Sequence, residues 1–184
     1  LVEASNLQRQ VLYTTEDIGK AKVDAAKKRL EALNPHISVT AYPFALTREN
    51  AMEIIHPYQI VVDGTDNFAT RYLVNDACVL GEKINVYASI SRFEGQVAVF
   101  NFPYKDGTRG PNYRDIFPTP PQAGAVLNCA EDGVLGILPG IIGSMQASET
   151  IKLITGFGES LAGKIALFGA ATFALHVIKL QKTT

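Results

Sequence analysis

Residues 59–78 read QIVVDGTDNFATRYLVNDAC, and this stretch decides the fold. It begins with three consecutive β-branched residues, at positions 60–62, and polar residues do not alternate with them. A strand that is buried on both faces of a parallel sheet has this pattern. A short polar turn follows at 64–67, and residues 68–80 have the composition of a helix. The stretch therefore predicts a strand, a turn and a helix, the repeating unit of an α/β sheet.

Further predicted elements lie on both sides of this unit. Helices are predicted over 19–34, 47–55 and 137–155, and strands over 37–42, 84–90 and 96–102. Because residues 91–95 make only a short link, the two strands that they join are predicted to be antiparallel. Residues 164–180 are predicted to add one or two strands. This order predicts a doubly wound α/β sheet with an antiparallel edge.

Composition excludes several classes of protein. Of the 184 residues, 47% are hydrophobic and 19% are charged, which is typical of a globular chain with a large core. The formal net charge of −1 argues against a nucleic-acid binder that uses a basic face. Pro139, Gln146 and Glu149 argue against a membrane span over 137–155. The cysteines Cys78 and Cys129 form no disulfide framework, and no signal peptide is recognisable, so we expect a cytoplasmic protein.

The turn at 64–67 is the first place to expect a ligand, because α/β sheets bind ligands beyond the carboxyl ends of their strands. A carboxylate at Asp66 is suited to holding Mg²⁺ against phosphate oxygens. The alternative is that Asp66 caps the N-terminus of the following helix, a common role for aspartate. Spacing alone leaves both interpretations open.

Two further features suit anions. Residues 5–10 (SNLQRQ) supply hydroxyl, amide and guanidinium groups, which bind phosphate well, although a solvated loop has the same composition. Lys22 lies in the first turn of its predicted helix, where a cation opposes the helix dipole. It is therefore either an anion ligand or an ordinary surface lysine.

Residues 103–127 contain five prolines and three glycines without a hydrophobic period. A loop of this length inside a domain is usually functional or disordered. Cys129 follows it, and its thiol is either an accessible nucleophile or a buried, inert group. The chain has no cysteine pair at CxxC spacing, and its three histidines are scattered singly. We therefore predict no structural zinc.

Four blocks, in this order, resemble the MoeB/ThiF/HesA family, relatives of the adenylation domain of ubiquitin-activating enzymes. Residues 2–10 (VEASNLQRQ) resemble the family segment VExSNLQRQ, and residues 19–23 (GKAKV) resemble its GxxKV helix start. Residues 63–78 resemble the DxTDNxxTRYLxNDAC stretch, and residues 129–136 (CAEDGVLG) resemble CAExGVLG. The resemblance spans essentially the whole chain.

The resemblance implies an ATP-dependent adenylyltransferase with a Rossmann-like, mostly parallel sheet that has an antiparallel edge. The family's substrate is the C-terminal Gly-Gly carboxylate of a small ubiquitin-like β-grasp protein, either a sulfur carrier or a modifier. The carboxylate attacks the α-phosphate of ATP in the presence of Mg²⁺. The family usually acts as a homodimer. Residues 1–184 would form a partial ThiF-type adenylation domain, with a crossover loop over about 103–128.

The same match implies the nucleotide-binding residues by position: Ser5, Asn6, Leu7, Gln8, Arg9, Lys22, Asp66 and Asn67. Within this set, Asn6, Arg9 and Lys22 contact phosphates, and Asp66 holds Mg²⁺. Arg9, Lys22 and Asp66 are also the implied catalytic residues. Cys129 joins them because in some members the matching cysteine forms a covalent link to the carrier or takes part in sulfur transfer.

The chain departs from the family pattern in two places. The family's glycine-rich loop, the strand before it and the acidic residue that holds the ribose all lie upstream of Val2, and the chain begins at Leu1 without a methionine. We therefore expect an N-terminally truncated piece that lacks the first βαβ elements. Where many members have a CxYRC pair, this chain has Asn112 and Asp115.

Two other functions are compatible with the predicted fold. One is a non-catalytic scaffold that binds a ubiquitin-like protein without using ATP, which the joint presence of Asn6, Arg9, Lys22 and Asp66 disfavours. The other is a nicotinamide-dependent oxidoreductase, since one fold hosts many activities. The chain has no GxGxxG motif, and this places the oxidoreductase last.

Overall fold

The computed structural model describes residues 1–121 and 133–183, and the chain divides into two units, Leu1–Leu46 and Thr47–Thr184. In the first unit, helix α1 (Lys22–Leu33) follows two short 3-10 turns. The helix begins three residues later than predicted, because Gly19 has a left-handed backbone (φ 84°) and Ala21, the residue before the helix, has an extended one (ψ 130°). It ends at Asn34 as predicted, because the residue before a proline disfavours helical angles.

The strand predicted over 37–42 is wrong. A strand needs a neighbour with which its backbone can exchange hydrogen bonds. In the part of the chain that the structure describes, no strand pairs with this segment. Its backbone bonds elsewhere, since the Val39 N–H donates to the Glu31 carboxylate at 3.3 Å.

The unit Thr47–Thr184 is built on a sheet, whose described strands follow one another in chain order. They are β1 (Ile60–Asp63), β2 (Ile84–Ser91), β3 (Glu94–Phe100), β4 (Lys164–Gly169) and β5 (Ala174–Lys179). The pair β1–β2 is parallel, and the three later pairs are antiparallel. The predicted α/β sheet with an antiparallel edge is confirmed. The described strands form a mixed sheet, with more antiparallel pairing than we expected.

The described helices of this unit are α2 (Ala51–Ile55), α3 (Phe68–Leu80), α4 (Tyr113–Ile116) and α5 (Leu138–Thr155). Side chains alternate between the faces of β2, so α3 and α5 lie on opposite faces of the sheet. Tyr87 belongs to an aromatic core with Tyr72 of α3. The next residue, Ala88, packs with Ile142 of α5. None of the described helices is long and apolar enough to cross a bilayer.

Strand β1 is less buried than its apolar sequence predicts. The side chain of Val62 is 50% exposed, because α5 packs mainly on β2 and β3 rather than on β1. In contrast, Asp63 at the end of β1 is only 2% exposed. The most polar residue of this strand is therefore its most deeply buried one.

Asn101, the residue after β3, ties three chain segments together. Its backbone is left-handed (φ 55°), a conformation that asparagine tolerates better than most residues. Its side-chain amide donates to the carbonyls of Cys78 and Lys83, at 3.0 and 2.8 Å. Its own N–H donates to the Pro111 carbonyl at 2.8 Å. The end of α3, the start of β2 and the end of β3 are thus joined through one residue.

Candidate active site

Buried hydrogen bonds fix the turn that follows β1. The Asp63 Oδ1 atom accepts the Thr65 N–H at 2.9 Å, which forms an Asx-type turn. The Asp63 carbonyl accepts from the side-chain amide of Gln146 at 2.8 Å. The Thr65 carbonyl accepts from a guanidinium N–H of Arg71 at 3.0 Å. The backbone on both sides of Gly64 is therefore held by side chains from α3 and α5.

Asp66 itself is exposed. The helix cap is Asn67, whose side-chain oxygen accepts the Thr70 N–H at 2.9 Å. The alternative interpretation, in which Asp66 caps α3, is therefore wrong. Within residues 1–121 and 133–183, the Asp66 carboxylate has no hydrogen-bond or ion-pair partner, so it is available to a ligand.

Arg71 is buried beneath this turn, with 7% of its surface exposed. Its guanidinium lies 5.4 Å from the ring centres of both Phe68 and Tyr87, within the range of a cation–π contact. Burial raises the pKa of the Asp63 carboxyl and raises that of the Tyr87 hydroxyl to about 12. Asp63 Oδ2 and Arg71 Nε have no hydrogen-bond partner among the described residues. Such buried unpaired atoms are uncommon and occur preferentially at functional sites.

In the first unit, residues 2–10 form a tight loop that bonds to itself. The carbonyl of buried Asn6 accepts the N–H groups of Arg9 and Gln10, at 3.1 and 2.9 Å. The Asn6 side chain accepts the Glu3 N–H at 3.3 Å. The Arg9 guanidinium folds back onto the Ser5 carbonyl at 3.1 Å. This loop therefore orients the Arg9 guanidinium through its own backbone.

Lys22 is the first residue of α1 and so lies in its first turn, where the sequence analysis placed it, although the helix itself was predicted to begin at residue 19. The cap residue Ala21 makes no side-chain bond to the N–H groups of this turn. Lys22 is half-buried, and no ion pair engages its amine in the described part of the chain. A cation and unbonded N–H groups at a helix start are both suited to an anion.

The predicted site residues thus fall into two sets. The set Ser5, Asn6, Leu7, Gln8, Arg9 and Lys22 lies in the unit Leu1–Leu46, and Asp66 and Asn67 lie together in the turn of the other unit. A joint site that combines both sets stays a prediction. Cys129 and positions 122–128 of the predicted crossover loop lie outside the described residues.

The described part of the predicted crossover loop contains a hydrogen-bonded turn at Asn112 and Asp115, where many family members have cysteines. The Asp115 carboxylate accepts the Asn112 N–H at 2.7 Å and its side-chain amide at 2.8 Å. The Asn112 side-chain oxygen accepts the Arg114 N–H at 2.9 Å. These contacts belong to a capping box at the start of α4, where the side chains of Asn112 and Asp115 accept backbone N–H groups.

Helix α3 packs against the turn at 112–115, through residues to which the sequence analysis assigned no role. The Arg114 guanidinium donates twice to the Asp76 carboxylate, both at 2.7 Å, and lies 4.8 Å from the ring centre of Tyr72. The hydrogen bond from Arg114 lowers the pKa of the Asp76 carboxyl. The Tyr72 hydroxyl lies within bonding distance of the Phe117 and Thr119 carbonyls, at 2.8 and 3.0 Å. The start of the predicted crossover loop is thus anchored on α3.

Sequence reasoning also missed Gln146 and Arg71. The signal for Gln146 was present, because an amide within a helix of mostly apolar residues usually has a buried partner. Arg71 lies inside the quoted stretch 59–78, but nothing in its spacing indicated that its side chain bonds to the turn.

The described strands form a mixed α/β sheet, and an available carboxylate lies at the carboxyl end of its parallel pair, the edge at which α/β proteins generally bind their ligands. More particularly, the ThiF family pattern matches residues 1–184, and the chain belongs to this family. The resemblance inferred from the four blocks is confirmed.

Curated relatives carry adenylyltransferase names. The sulfur carrier protein adenylyltransferase of Thermus thermophilus is 57% identical over 98% of this chain and 67% of its own length. The probable adenylyltransferase/sulfurtransferase MoeZ of Mycobacterium tuberculosis is 46% identical over 99% of this chain. The chain spans 46% of MoeZ and 39% of the similar protein MOCS3 of Drosophila grimshawi.

Solved structures show the same fold. MccB of E. coli, in a structure described as containing ATP, superposes with a TM-score of 0.83 at 19% identity, over 99% of this chain and 55% of MccB. PaaA superposes with a TM-score of 0.75 at 22% identity, over 99% of this chain and 54% of PaaA. At these identities the match concerns the fold alone, and the Rossmann-like class is confirmed.

Proposed function

We propose that the protein containing this chain is an ATP-dependent adenylyltransferase. Its substrate is the C-terminal Gly-Gly carboxylate of a small ubiquitin-like β-grasp protein, a sulfur carrier or modifier. Membership of the ThiF family and the names of the curated relatives support this proposal. The observation that carries it is the exposed Asp66 carboxylate, which lies without a described partner on a turn held from both faces of the sheet.

The reaction brings two anions together. A carboxylate oxygen of the carrier attacks the α-phosphate, the bond from this phosphate to the β-phosphate oxygen breaks, and pyrophosphate leaves. The product is an acyl-adenylate. Positive groups must neutralise the charge on the phosphates. We assign this role to Arg9 and Lys22, with Asn6 as a phosphate contact and Ser5, Leu7 and Gln8 as residues that shape the loop.

The residues of the turn fit Mg²⁺. This ion prefers carboxylate oxygens, keeps several waters and is commonly shared with substrate phosphates. Asp66 offers such an oxygen, whereas the Asn67 side-chain oxygen already accepts the Thr70 N–H. Asp66 is therefore the proposed ligand, and Asn67 lies beside it. When bound, Mg²⁺ would neutralise charge on the phosphate oxygens.

Three further parts of the proposal rest on the family alone: a homodimer, a crossover loop over about 103–128 that covers the carrier tail, and a covalent role of Cys129. A cytoplasmic location is also part of the proposal and rests on the cysteine content of the chain. The absence of structural zinc also stays a prediction. Among the described residues, no three His, Cys, Asp or Glu side chains form a group that would hold a metal ion.

The test is ATP–pyrophosphate exchange by the intact protein with candidate carrier proteins. Asp66→Ala and Arg9→Ala should each lower the exchange rate by about 100-fold or more, the usual effect of removing a group that stabilises transition-state charge. Glu53→Ala and Arg29→Ala are matched controls, because both side chains are exposed and lie outside the proposed site. These controls should exchange like the wild type.

Two outcomes would contradict the proposal. Undiminished exchange in the Asp66 and Arg9 variants would remove the roles given to these residues. A wild-type protein that binds a carrier without ATP-dependent exchange would instead support the non-catalytic scaffold.

A further inference from the structure

We propose that Gln146 and Arg71 are positioning residues for the Asp66 carboxylate and hold its turn from opposite faces of the sheet. This inference rests on the proposed function of Asp66. Neither residue touches the proposed ligand. Each acts through the backbone that carries Asp66.

Gln146 holds the turn from the α5 face. It is 7% exposed, and its side-chain nitrogen donates to the carbonyls of Asp63 and Val86, at 2.8 and 2.7 Å. An amide nitrogen has two hydrogens, so each carbonyl receives its own donor. Asp63 and Val86 lie on the two strands of the parallel pair, where β1 ends. Gln146 therefore fixes the point at which the chain leaves the sheet, directly before Gly64.

Arg71 holds the turn from the α3 face. Its N–H group donates to the Thr65 carbonyl, which belongs to the peptide plane shared with Asp66. The guanidinium cannot turn away easily, because it is buried beside the rings of Phe68 and Tyr87. Arg71 therefore fixes the orientation of the peptide from which the Asp66 side chain departs.

A third contact comes from within the turn, where the Asp63 side chain accepts the Thr65 N–H. Three backbone groups of residues 63 and 65 are thus bonded to side chains, while the Asp66 carboxylate is left available. A functional group binds its ligand with precise geometry only when the backbone that carries it is held rigidly, and the backbone next to Asp66 is held in this way. Displacement of such a group by 1 Å is enough to lower a rate about 100-fold.

The test measures metal binding as well as activity. Mn²⁺ is titrated into the intact protein with a non-hydrolysable ATP analogue, and free Mn²⁺ is followed by electron paramagnetic resonance. Gln146→Met and Arg71→Lys should each weaken Mn²⁺ binding by about 10-fold to 100-fold, the usual effect of losing an outer support of a metal ligand. In the exchange assay, kcat should fall while the KM for the carrier stays unchanged.

The matched control is Glu149→Gln, on the same helix as Gln146. Glu149 is also buried, but it accepts the Leu161 N–H and pairs with Lys152, away from the turn. This variant should unfold more readily than the wild type, yet it should bind Mn²⁺ normally. It therefore separates loss of stability from loss of positioning.

The failures are distinguishable. If the wild type shows neither exchange nor nucleotide-dependent Mn²⁺ binding, the proposed function is wrong. If the wild type shows both, and Gln146→Met and Arg71→Lys bind Mn²⁺ as tightly as it does, the positioning roles are wrong. If Gln146→Met does not fold, Arg71→Lys decides the inference, because it keeps the charge and loses the planar geometry of the guanidinium.

Discussion

Helix α3 contributes one residue to each of two aspartate–arginine arrangements, Arg71 beside Asp63 of β1 and Asp76 beside Arg114 of α4, and the two differ in how completely their polar atoms are bonded. Near its start, Asp63 and Arg71 are both buried, and each keeps one side-chain atom without a described hydrogen-bond partner. Farther along, Asp76 and Arg114 form a two-bond ion pair at 2.7 Å while partly exposed to solvent. The first arrangement bonds to the backbone of a turn, and the second joins two segments of the chain.

This difference separates polar groups that stabilise the fold from polar groups that support the proposed site. An ion pair whose charged atoms are hydrogen-bonded to each other contributes to the stability of the fold. Buried polar atoms that lack hydrogen-bond partners lower that stability. A fold tolerates such a cost where it supports a ligand. We therefore expect substitutions in the two arrangements to change stability in opposite directions.

The largest change is expected for Arg114→Met, which removes the ion pair with Asp76 and the contact with the Tyr72 ring. The free energy of unfolding should fall by about 1–2 kcal/mol, since the pair is partly solvated and each contact contributes modestly. Urea unfolding measures this change. The matched control is Arg48→Met, at an exposed arginine, which should stay within about 0.5 kcal/mol of the wild type.

The same pair has a defined pH dependence. Because Arg114 lowers the pKa of Asp76 from its ordinary value of 3.8, the stabilisation is complete above that value and is lost as the pH falls through the lowered pKa. The part of the difference between wild type and Arg114→Met that comes from the charge pair should therefore disappear in acid, and only the contribution of the Tyr72 contact should remain. A difference that does not shrink in acid would show that the contact with Tyr72, rather than the charge pair, carries the effect.

A smaller change of opposite sign is expected for Asp63→Asn. The asparagine oxygen still accepts the Thr65 N–H, while the buried charge is removed. Because burial raises the pKa of Asp63, ionisation costs free energy at neutral pH. The variant should be more stable than the wild type by roughly 1 kcal/mol at pH 7.

This gain should shrink as the pH falls through the raised pKa of Asp63 and should vanish below 3.8, where the wild-type carboxyl is protonated in both the folded and the unfolded state. Asp106→Asn is the matched control. Asp106 is exposed, and hydrogen bonds from Thr108 lower its pKa, so its substitution should give no gain. Destabilisation by Asp63→Asn at pH 7 would instead indicate a close pairing with Arg71.

The smallest expected effect is on the reactivity of Cys78, which lies on α3 two residues after Asp76. It is fully buried (0% exposed), and burial raises the pKa of its thiol to about 12. Since the thiolate is the reactive form, Cys78 should not react with an aromatic disulfide reagent at pH 8 in a Cys129→Ser variant. Full labelling should appear only in denaturant. Fast labelling of the folded variant would show that this end of α3 opens readily.

The parts of the fold that depend on local sequence were predictable. The bounds of α3 and the antiparallel pairing of β2 and β3 follow from hydrophobic pattern and link length, and both are confirmed. The strand over 37–42 was not predictable in this way, because an alternating segment forms a strand only when a partner lies beside it.

In the candidate site, too, features set by the local sequence were predictable and features that depend on tertiary contacts were not. The turn at 64–67 and its carboxylate were located from the end of a strand that the sequence predicts to be buried. The sequence offered Asp66 as a helix cap, whereas the cap is Asn67, and a helix start that is uncertain by one residue cannot be resolved from helix propensity. Gln146 lies more than eighty positions from Asp63, so only the packed structure reveals their contact.

Asn101 limits how this sequence can drift during evolution. Glycine would keep the left-handed backbone but would leave the Cys78 and Lys83 carbonyls without their shared donor. Aspartate would keep the shape but would place oxygen atoms against those carbonyls. A β-branched residue would be strained by the backbone alone. Neutral replacement of Asn101 therefore needs a compensating change around residues 78–83, about twenty positions away, which makes such replacement rare.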